Sequence, residues 1–324
     1  MSVLVIDSNK SDIQGQVMKR RRRKSKYIEY DYEAAYNKQV ALLEADQIER
    51  LIKSGHVVYA TKEIRYGSQL EVEIYPEFTR EQKNEIPRAA LEARRNAQKN
   101  LNEKNSRKNC ERTINCNFGD GDIWCTLTYD PENVPEDIDR ATKDITNYIK
   151  RLNRARKKLG LENTKYVRVV ENNEGNGHWH HHLVLSGDMS LDLVEDTWKL
   201  GGRNHTRRLK TDDDGLTGMA NYITKEKKQP GQKKWAASKG LKKPEESKNH
   251  YKFKNRIVKE MVRDRDNIEP AMLKWFGSEY EFSHAEVRCN EVNGRFYLSA
   301  RLHRKQPAQK HSSSRRQRRR AARE

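Results

Sequence analysis

The chain has 324 residues, of which 66 are Lys or Arg and 47 are Asp or Glu, so its formal net charge is +19 and its pI lies near 9.7. Such a length allows one large or two ordinary domains, and such a charge is the electrostatic footprint of a protein that meets nucleic acid. Hydrophobic residues make up 34% and charged residues 35%, too polar for one compact core throughout, which predicts solvated arms or tails.

No apolar run approaches the ~18–20 residues of a membrane helix. Met1 to Ile6 is too short for a signal core and leads into Asp7, so the expected location is cytoplasmic, in a bacterium or host cell, and nucleoid-associated, with no membrane partner. The cysteines Cys110, Cys116, Cys125 and Cys289 show no C-x-x-C spacing, which argues against a zinc finger or a disulfide framework and predicts free thiols.

In chain order, the basic run Lys19 to Lys26 predicts a flexible arm over 1–33. Tyr36, Val40, Leu43, Ile48, Leu51 and Ile52 recur near helical spacing, with Gly55 as a C-cap, which predicts a helix over 34–54. Strands are expected at 56–59 and 70–75, joined across Tyr66-Gly67-Ser68. An exposed helix over 89–112, dense in Ala, Arg, Lys, Gln and Asn, links this N-terminal α+β element (34–112) to the compact part of the chain.

That compact part is expected to start at residue 113. Ile123 to Tyr129 reads as a strand closed by Asp130-Pro131, and 139–160 as a helix with Ile145, Tyr148, Ile149 and Leu152 on one side. Lys165 to Glu171 is the next strand, Asn172 to Gly177 its turn, and the strand through His182 to Leu185 returns antiparallel beside it. Helices are expected at 191–199 and 216–226. The order β-α-β-β-α is that of an α+β fold with a ferredoxin-like or RRM-like antiparallel sheet and helices on one face. Residues 251–276 read as an amphipathic helical region, and 280–292 with 295–302 as a hairpin turning at Asn293-Gly294. Whether that hairpin joins this sheet or the N-terminal strands is open. The domain over 113–303 is then followed by a disordered basic tail over 304–324.

Four of the ten histidines fall within five positions, His178, His180, His181 and His182. On a strand, His178, His180, His182 and Val184 point one way and His181, Leu183 and Leu185 the other. One face joins a core, and the other offers imidazoles two residues apart, near enough to share a cation. His178 with His180 and His180 with His182 both have the spacing.

Cys125 to Tyr129, His180-His181-His182, and Tyr222-Ile223-Thr224-Lys225 resemble the first, His-x-His and Tyr-x-x-Lys motifs of the HUH endonuclease superfamily, closest to rolling-circle replication initiators of phages and plasmids. The resemblance spans roughly 115–245. The middle residue of the family's histidine pair is normally apolar, whereas His181 is polar. The pair His180 and His182 is favoured because Leu183-Val184-Leu185 follows it directly, as aliphatic residues follow the family's pair. The resemblance implies nicking and rejoining of single-stranded DNA at a replication origin through a 5′-phosphotyrosine, with a host helicase and DNA polymerase as partners.

Covalent cleavage of a phosphodiester needs a nucleophilic hydroxyl and a cation that polarises a phosphate oxygen. Two imidazoles and a carboxylate suit Mn²⁺, Zn²⁺ or, with waters, Mg²⁺, so a divalent metal ion is expected on His180, His182 and Glu171, the last at the end of the neighbouring strand. On a helix Tyr222 and Lys225 share a face, so the ammonium can sit beside the phenol. Tyr148, Tyr166 and Tyr251 are the rival nucleophiles, none followed by lysine three residues on in the right motif order. The Thr126 and Thr128 hydroxyls are assigned to strand packing. Lys227, Lys228, Lys233, Lys234, Lys239, Lys242 and Lys243 surround Trp235, a pattern of phosphate-binding cations and a stacking ring. Nothing matches G-x-x-x-x-G-K-[ST], so unwinding falls to a host enzyme. A relaxase or single-strand transposase of the same chemistry, and a non-catalytic nucleic-acid-binding protein, are the alternatives.

Residues 301–324 hold ten Lys or Arg and one Glu. Removing 304–324 should therefore flatten the salt dependence of DNA binding without moving the nick site, a change read from titrations at several ionic strengths. An unchanged slope would show that the tail does not touch DNA.

Overall fold

The computed structural model describes residues 37–39, 44, 46, 57–77, 91–172, 178–225, 233, 235–290 and 295–305. The basic arm, most of the expected 34–54 helix, the turn at 173–177, the Asn293-Gly294 turn and the tail after 305 lie outside the described residues. The strands are β1 (Asn37–Gln39), β2 (Val58–Tyr66), β3 (Gln69–Glu77), β4 (Ile123–Thr128), β5 (Tyr166–Asn172), β6 (Trp179–Leu185), β7 (His205–Arg208), β8 (Ala236–Ala237), β9 (Glu245–Asn249), β10 (Tyr280–Asn290) and β11 (Arg295–Arg304). The helices are α1 (Leu91–Asn117), α2 (Ile138–Lys158), α3 (Leu191–Asp196), α4 (Thr217–Ile223), α5 (Asn255–Arg263) and α6 (Ile268–Phe276). The fold is α+β. Among the described residues no helix is long and apolar enough to cross a membrane.

Two antiparallel sheets form. The five-stranded sheet runs β7-β4-β6-β5-β8, and the six-stranded one β1-β10-β11-β3-β2-β9. In the first, Ile123, Cys125 and Leu127 of β4 join Leu183 and Leu185 of β6 on one face, against Ile145, Tyr148, Ile149 and Leu152 of α2 and Val194 of α3. Helix α2 starts where Asp137 accepts from the Arg140 amide at 2.7 Å and ends on Arg156, Lys157 and Lys158, so both ends complement the helix dipole. These helices on one face are consistent with a ferredoxin-like core. Trp124, Val167, Val169 and Val184 form the opposite face, which is covered in addition by Cys110 and Ile114 of α1 and Ala220 and Ile223 of α4.

The six-stranded sheet settles where the C-terminal hairpin goes: β11 pairs with β3 (Leu298↔Ile74, Leu302↔Leu70), so it joins the N-terminal strands. Its apolar face packs on α5 and α6 through Val258, Met261, Met272 and Phe276. The expected helix over 34–54 is overturned at its start, where Asn37–Gln39 pairs with β10 (Asn37↔Asn290, Gln39↔Arg288). An unpaired sheet edge offers backbone partners, and that outweighs a weak local helical period.

The linking helix is longer than expected and is not exposed in its second half. The division drawn between 112 and 113 falls inside it. Cys110 and Ile114 are fully buried against the five-stranded sheet, while Lys108, Glu111 and Arg112 face the other sheet. Arg112 Nη2 lies 2.6 Å and Lys108 Nζ 2.8 Å from the Glu71 carboxylate of β3. Arg301 of β11 bonds Glu111 at 2.7 Å. At the tip of the β2–β3 turn, Gly67 (φ 59°) lies so close to α1 that a Cβ there would stand 2.2 Å from the Asn115 carbonyl oxygen.

Burial pushes the Glu71 carboxyl up, but the Lys108 ammonium and the Arg112 guanidinium more than offset this and hold it below the usual carboxylate range. A carboxylate so depressed stabilises the fold above its unfolded pKa, and the contribution is lost as pH falls through the folded value. Glu71→Gln should cost about 3 kcal/mol near neutral pH, the scale for breaking a buried pair. The gap from wild type should shrink as pH falls below the ordinary carboxylate range. Urea unfolding at neutral and acid pH measures this, and an equal gap at both would remove charge as the source.

Candidate active site

The pleat of β6 separates the histidine run into two environments. His180 and His182 lie on the face covered by α1 and α4, with ring planes 13° apart and centroids 6.5 Å apart. Cross-strand, His182 sits between Thr126 and Val169, and His180 between Thr128 and Glu171. Glu171 Oε2 lies 2.6 Å from His182 Nε2, and Thr126 Oγ1 is 3.1 Å from His182 Nδ1. An ionised carboxylate only accepts, so Nε2 donates to Glu171 and, in the neutral ring, Nδ1 accepts from the Thr126 hydroxyl. Thr126 thus does more than pack. It fixes the ring, and sequence showed it only as an alternating strand position.

The His182 hydrogen bond holds the Glu171 carboxyl below its usual range against the opposing effect of burial, with the charges of Lys225 and the histidines adding to it. Burial, then the neighbouring His182, lowers the pKa of His180, so its lone pair is available near neutral pH. His178 precedes the strand and is exposed.

On the other face His181 is fully buried, 2.7 Å from the Tyr129 hydroxyl and edge-on to Trp198. Burial lowers its pKa to about 3, so it stays neutral. The polar residue in the middle of the pair is therefore a core side chain, outside the cluster formed by its neighbours.

Tyr222 comes from α4, a helix of seven residues that buries Thr217, Ala220 and Ile223. Its ring is 51% exposed, stands edge-on to His182 at 5.8 Å, and lies 6.2 Å from Trp124. The expected helix over 216–226 ends early: Thr224 caps it, and its hydroxyl donates to the Ala220 carbonyl at 2.7 Å. Lys225 therefore lies beyond the helix. One further turn still brings its Nζ 4.4 Å over the Tyr222 ring and 4.0 Å from Glu171 Oε1. The ammonium covers the ring face and approaches the carboxylate.

Helix α1 holds α4 in place. Asn115 Oδ1 accepts from the Leu216 amide at 2.8 Å, the Thr217 hydroxyl donates to Glu111 at 3.0 Å, and Arg107 donates to the Lys225 carbonyl at 3.1 Å. At Gly215 (φ 68°) a Cβ would meet Asn115 Oδ1 at 2.3 Å, so this junction requires glycine. None of these supports carried a recognisable motif. Of the rival tyrosines, Tyr148 is fully buried and donates to the Val194 carbonyl, and Tyr251 is exposed beyond β9 of the other sheet.

Among the described residues no three His, Cys, Asp or Glu side chains form a ready-made metal cage. The donor set on this face nonetheless fits a divalent cation in type: a neutral imidazole, a second imidazole oriented from behind by a hydroxyl, and an ionised carboxylate. Glu171 and His182 would exchange their mutual hydrogen bond for the ion.

Of the expected DNA-contacting residues, Lys227, Lys228 and Lys234 lie outside the described residues, while Lys233, Lys239, Lys242 and Lys243 are exposed. The backbone of Lys242 is clamped by Asn117, which accepts from its amide at 2.8 Å and donates to its carbonyl at 2.9 Å. Trp235 differs from the expectation of a free stacking ring. Its indole donates to the Ser106 carbonyl of α1 at 3.0 Å, and its ring packs against the cluster beneath α4. Trp235→Ala should therefore lower stability by roughly 2–4 kcal/mol, seen as a lower melting temperature. DNA affinity of the folded protein should change less than when Lys239, Lys242 and Lys243 are replaced, and the reverse order would restore the stacking role.

No curated protein and no solved structure matches the chain. Residues 122–227, from the first turn into β4 to just past Lys225, match the family model of the replication-associated protein ORF2. Over that stretch, which holds Glu171, His180, His182 and Tyr222, the chain is a replication-associated protein of this family, and the match supports a rolling-circle replication initiator of the Rep type.

Proposed function

We propose that the protein nicks and rejoins single-stranded DNA at a replication origin, strand- and site-specifically, and so starts rolling-circle replication of a phage, plasmid or related mobile element. The observation that carries this is one exposed phenol, Tyr222, edge-on to His182 and capped by Lys225, beside the Glu171–His182 pair. Tyr222 Oη attacks a backbone phosphorus. The new Oη–P bond replaces the P–O3′ bond, the phenol gives up its proton, the departing 3′ oxygen gains one, and the 5′ end stays on the protein. One phosphodiester is exchanged for another, so rejoining by a 3′ hydroxyl needs no energy cofactor.

Lys225 carries a positive charge to the attacking ring and to the phosphate, stabilising charge as it develops. His180, His182 and Glu171 would hold a divalent ion, Mg²⁺ or Mn²⁺, which when bound polarises a non-bridging phosphate oxygen. Thr126 keeps His182 turned toward Glu171. The free 3′ hydroxyl passes to a host polymerase, and a host helicase unwinds the duplex.

Tyr222→Phe keeps the ring against His182 and deletes the nucleophile. It should fold, bind single-stranded DNA and form no covalent adduct, while Lys225→Ala should slow adduct formation by about ten- to a hundredfold. Mass spectrometry of the peptide left on a nicked origin oligonucleotide, with Mn²⁺ present, locates the bond. A nucleotide on any other residue overturns the assignment to Tyr222, and cleavage that leaves free ends and no adduct overturns the mechanism.

A further inference from the structure

Among the described residues, three aromatic side chains are exposed: Tyr222, Tyr251 (62%) and Trp275 (41%). The first is the proposed nucleophile. The other two belong to the six-stranded sheet's side of the molecule and touch each other, with ring centroids 6.2 Å apart and planes at 68°. Tyr251 lies in the loop after β9, and Trp275 in the last turn of α6.

The core does not account for this pair. Helix α6 buries Ile268, Met272 and Phe276, and Trp275 lies off that stripe. The loop beneath is nevertheless rigidly anchored: Lys252 donates to Glu63 of β2 at 2.6 Å, with its Nζ 4.6 Å over the Phe276 ring and 5.6 Å over Trp275. Two exposed rings are thus held on a fixed base. Exposed Lys254 and Lys274 follow Tyr251 and precede Trp275 in sequence. The chain reaches the pair directly from the exposed lysines 239, 242 and 243 by way of β9.

Rings presented in the open beside unburied cations match what an unpaired nucleotide offers, a flat base to stack and a phosphate to neutralise. A double helix hides its base faces and would engage only the cations. We propose that Tyr251 and Trp275 form a base-stacking platform for single-stranded DNA, separate from the Tyr222 site. The platform deepens the proposed function, since it would hold the strand that the initiator cuts, yet it requires no chemistry of its own.

The test uses the full chain and labelled oligothymidine, with a duplex of the same length as control. Tyr251→Ala together with Trp275→Ala should weaken single-strand binding roughly tenfold or more. Duplex affinity and the slope of log affinity against log salt should stay unchanged, because aromatic rings displace no counterions. Tyr251→Phe should bind as wild type, since stacking needs the ring and not the hydroxyl. Adduct formation at saturating origin oligonucleotide should also be unaffected. Unchanged single-strand affinity overturns the platform and leaves a protein partner as the pair's occupant, and an equal loss for single strand and duplex overturns it as well. A wild-type protein that forms no adduct but loses oligothymidine affinity on the double substitution would keep the platform and sink the nicking mechanism.

Discussion

The arrangement depends on the carboxylate of Glu111, buried at the midpoint between the two sheets. It receives the Arg301 guanidinium from β11 at 2.7 Å, the Thr217 hydroxyl from α4 at 3.0 Å and the Tyr66 hydroxyl from β2 at 3.4 Å. Burial raises its pKa, and the Arg301 charge and the Thr217 hydrogen bond oppose that rise. A buried ion pair is weak evidence for net stability, because desolvation offsets much of the attraction, but its geometry is specific. Here that specificity has a use: the helix bearing Tyr222 is too short to hold its own orientation, since seven residues give few intrahelical bonds. Its position is borrowed from α1, and that of α1 from the six-stranded sheet.

This explains why segments far apart in sequence serve one site. Residues 57–77 and 280–305 contribute no group to the cluster around His182, yet they build the wall on which α1 rests. Helix α1 then presents Asn115 to the start of α4 and Arg107 to the turn after it. Both ends of the short helix are held from the same rod, and Tyr222 lies between them.

How much of this was legible in the sequence depends on the range of each interaction. The histidine strand, its pleat and the neighbouring Glu171 were legible because strand alternation and an adjacent antiparallel strand are local facts. The same alternation explains why His181 breaks the expected apolar pattern without disturbing the pair, for its partners Tyr129 and Trp198 belong to the opposite face. Helix α2 was legible from its 3.6-residue stripe. Helix α1 misled because its buried surface is largely charged: Lys108, Glu111 and Arg112 resemble a solvated face until Glu71 and Arg301 stand opposite them, and those partners lie tens to hundreds of residues away. Trp235 misled for a related reason, since its carbonyl partner Ser106 sits on that same helix. Strand β1 was hidden because edge pairing is decided by the partner's free backbone, and side-chain periodicity does not report it.

Charge is divided between the site and its surroundings in a way that bears on how an initiator works. Around Tyr222 the described groups nearly cancel: Glu171 is ionised, Lys225 lies 4.0 Å from it, and burial keeps His180 neutral. The excess of 19 positive charges resides elsewhere in the chain, including the exposed lysines 239, 242 and 243 and the basic runs near both ends of the sequence. Long-range attraction to a polyanion is therefore supplied by groups remote from the reacting phosphate, and it varies with salt. The near-neutral pocket keeps its own balance, set by contacts of a few ångströms that salt screens less. A protein that must find DNA quickly and then make and remake one bond at one phosphate needs those two properties to be independent. Placing the charge on the periphery and a small, mutually neutralised cluster beside the phenol makes them so.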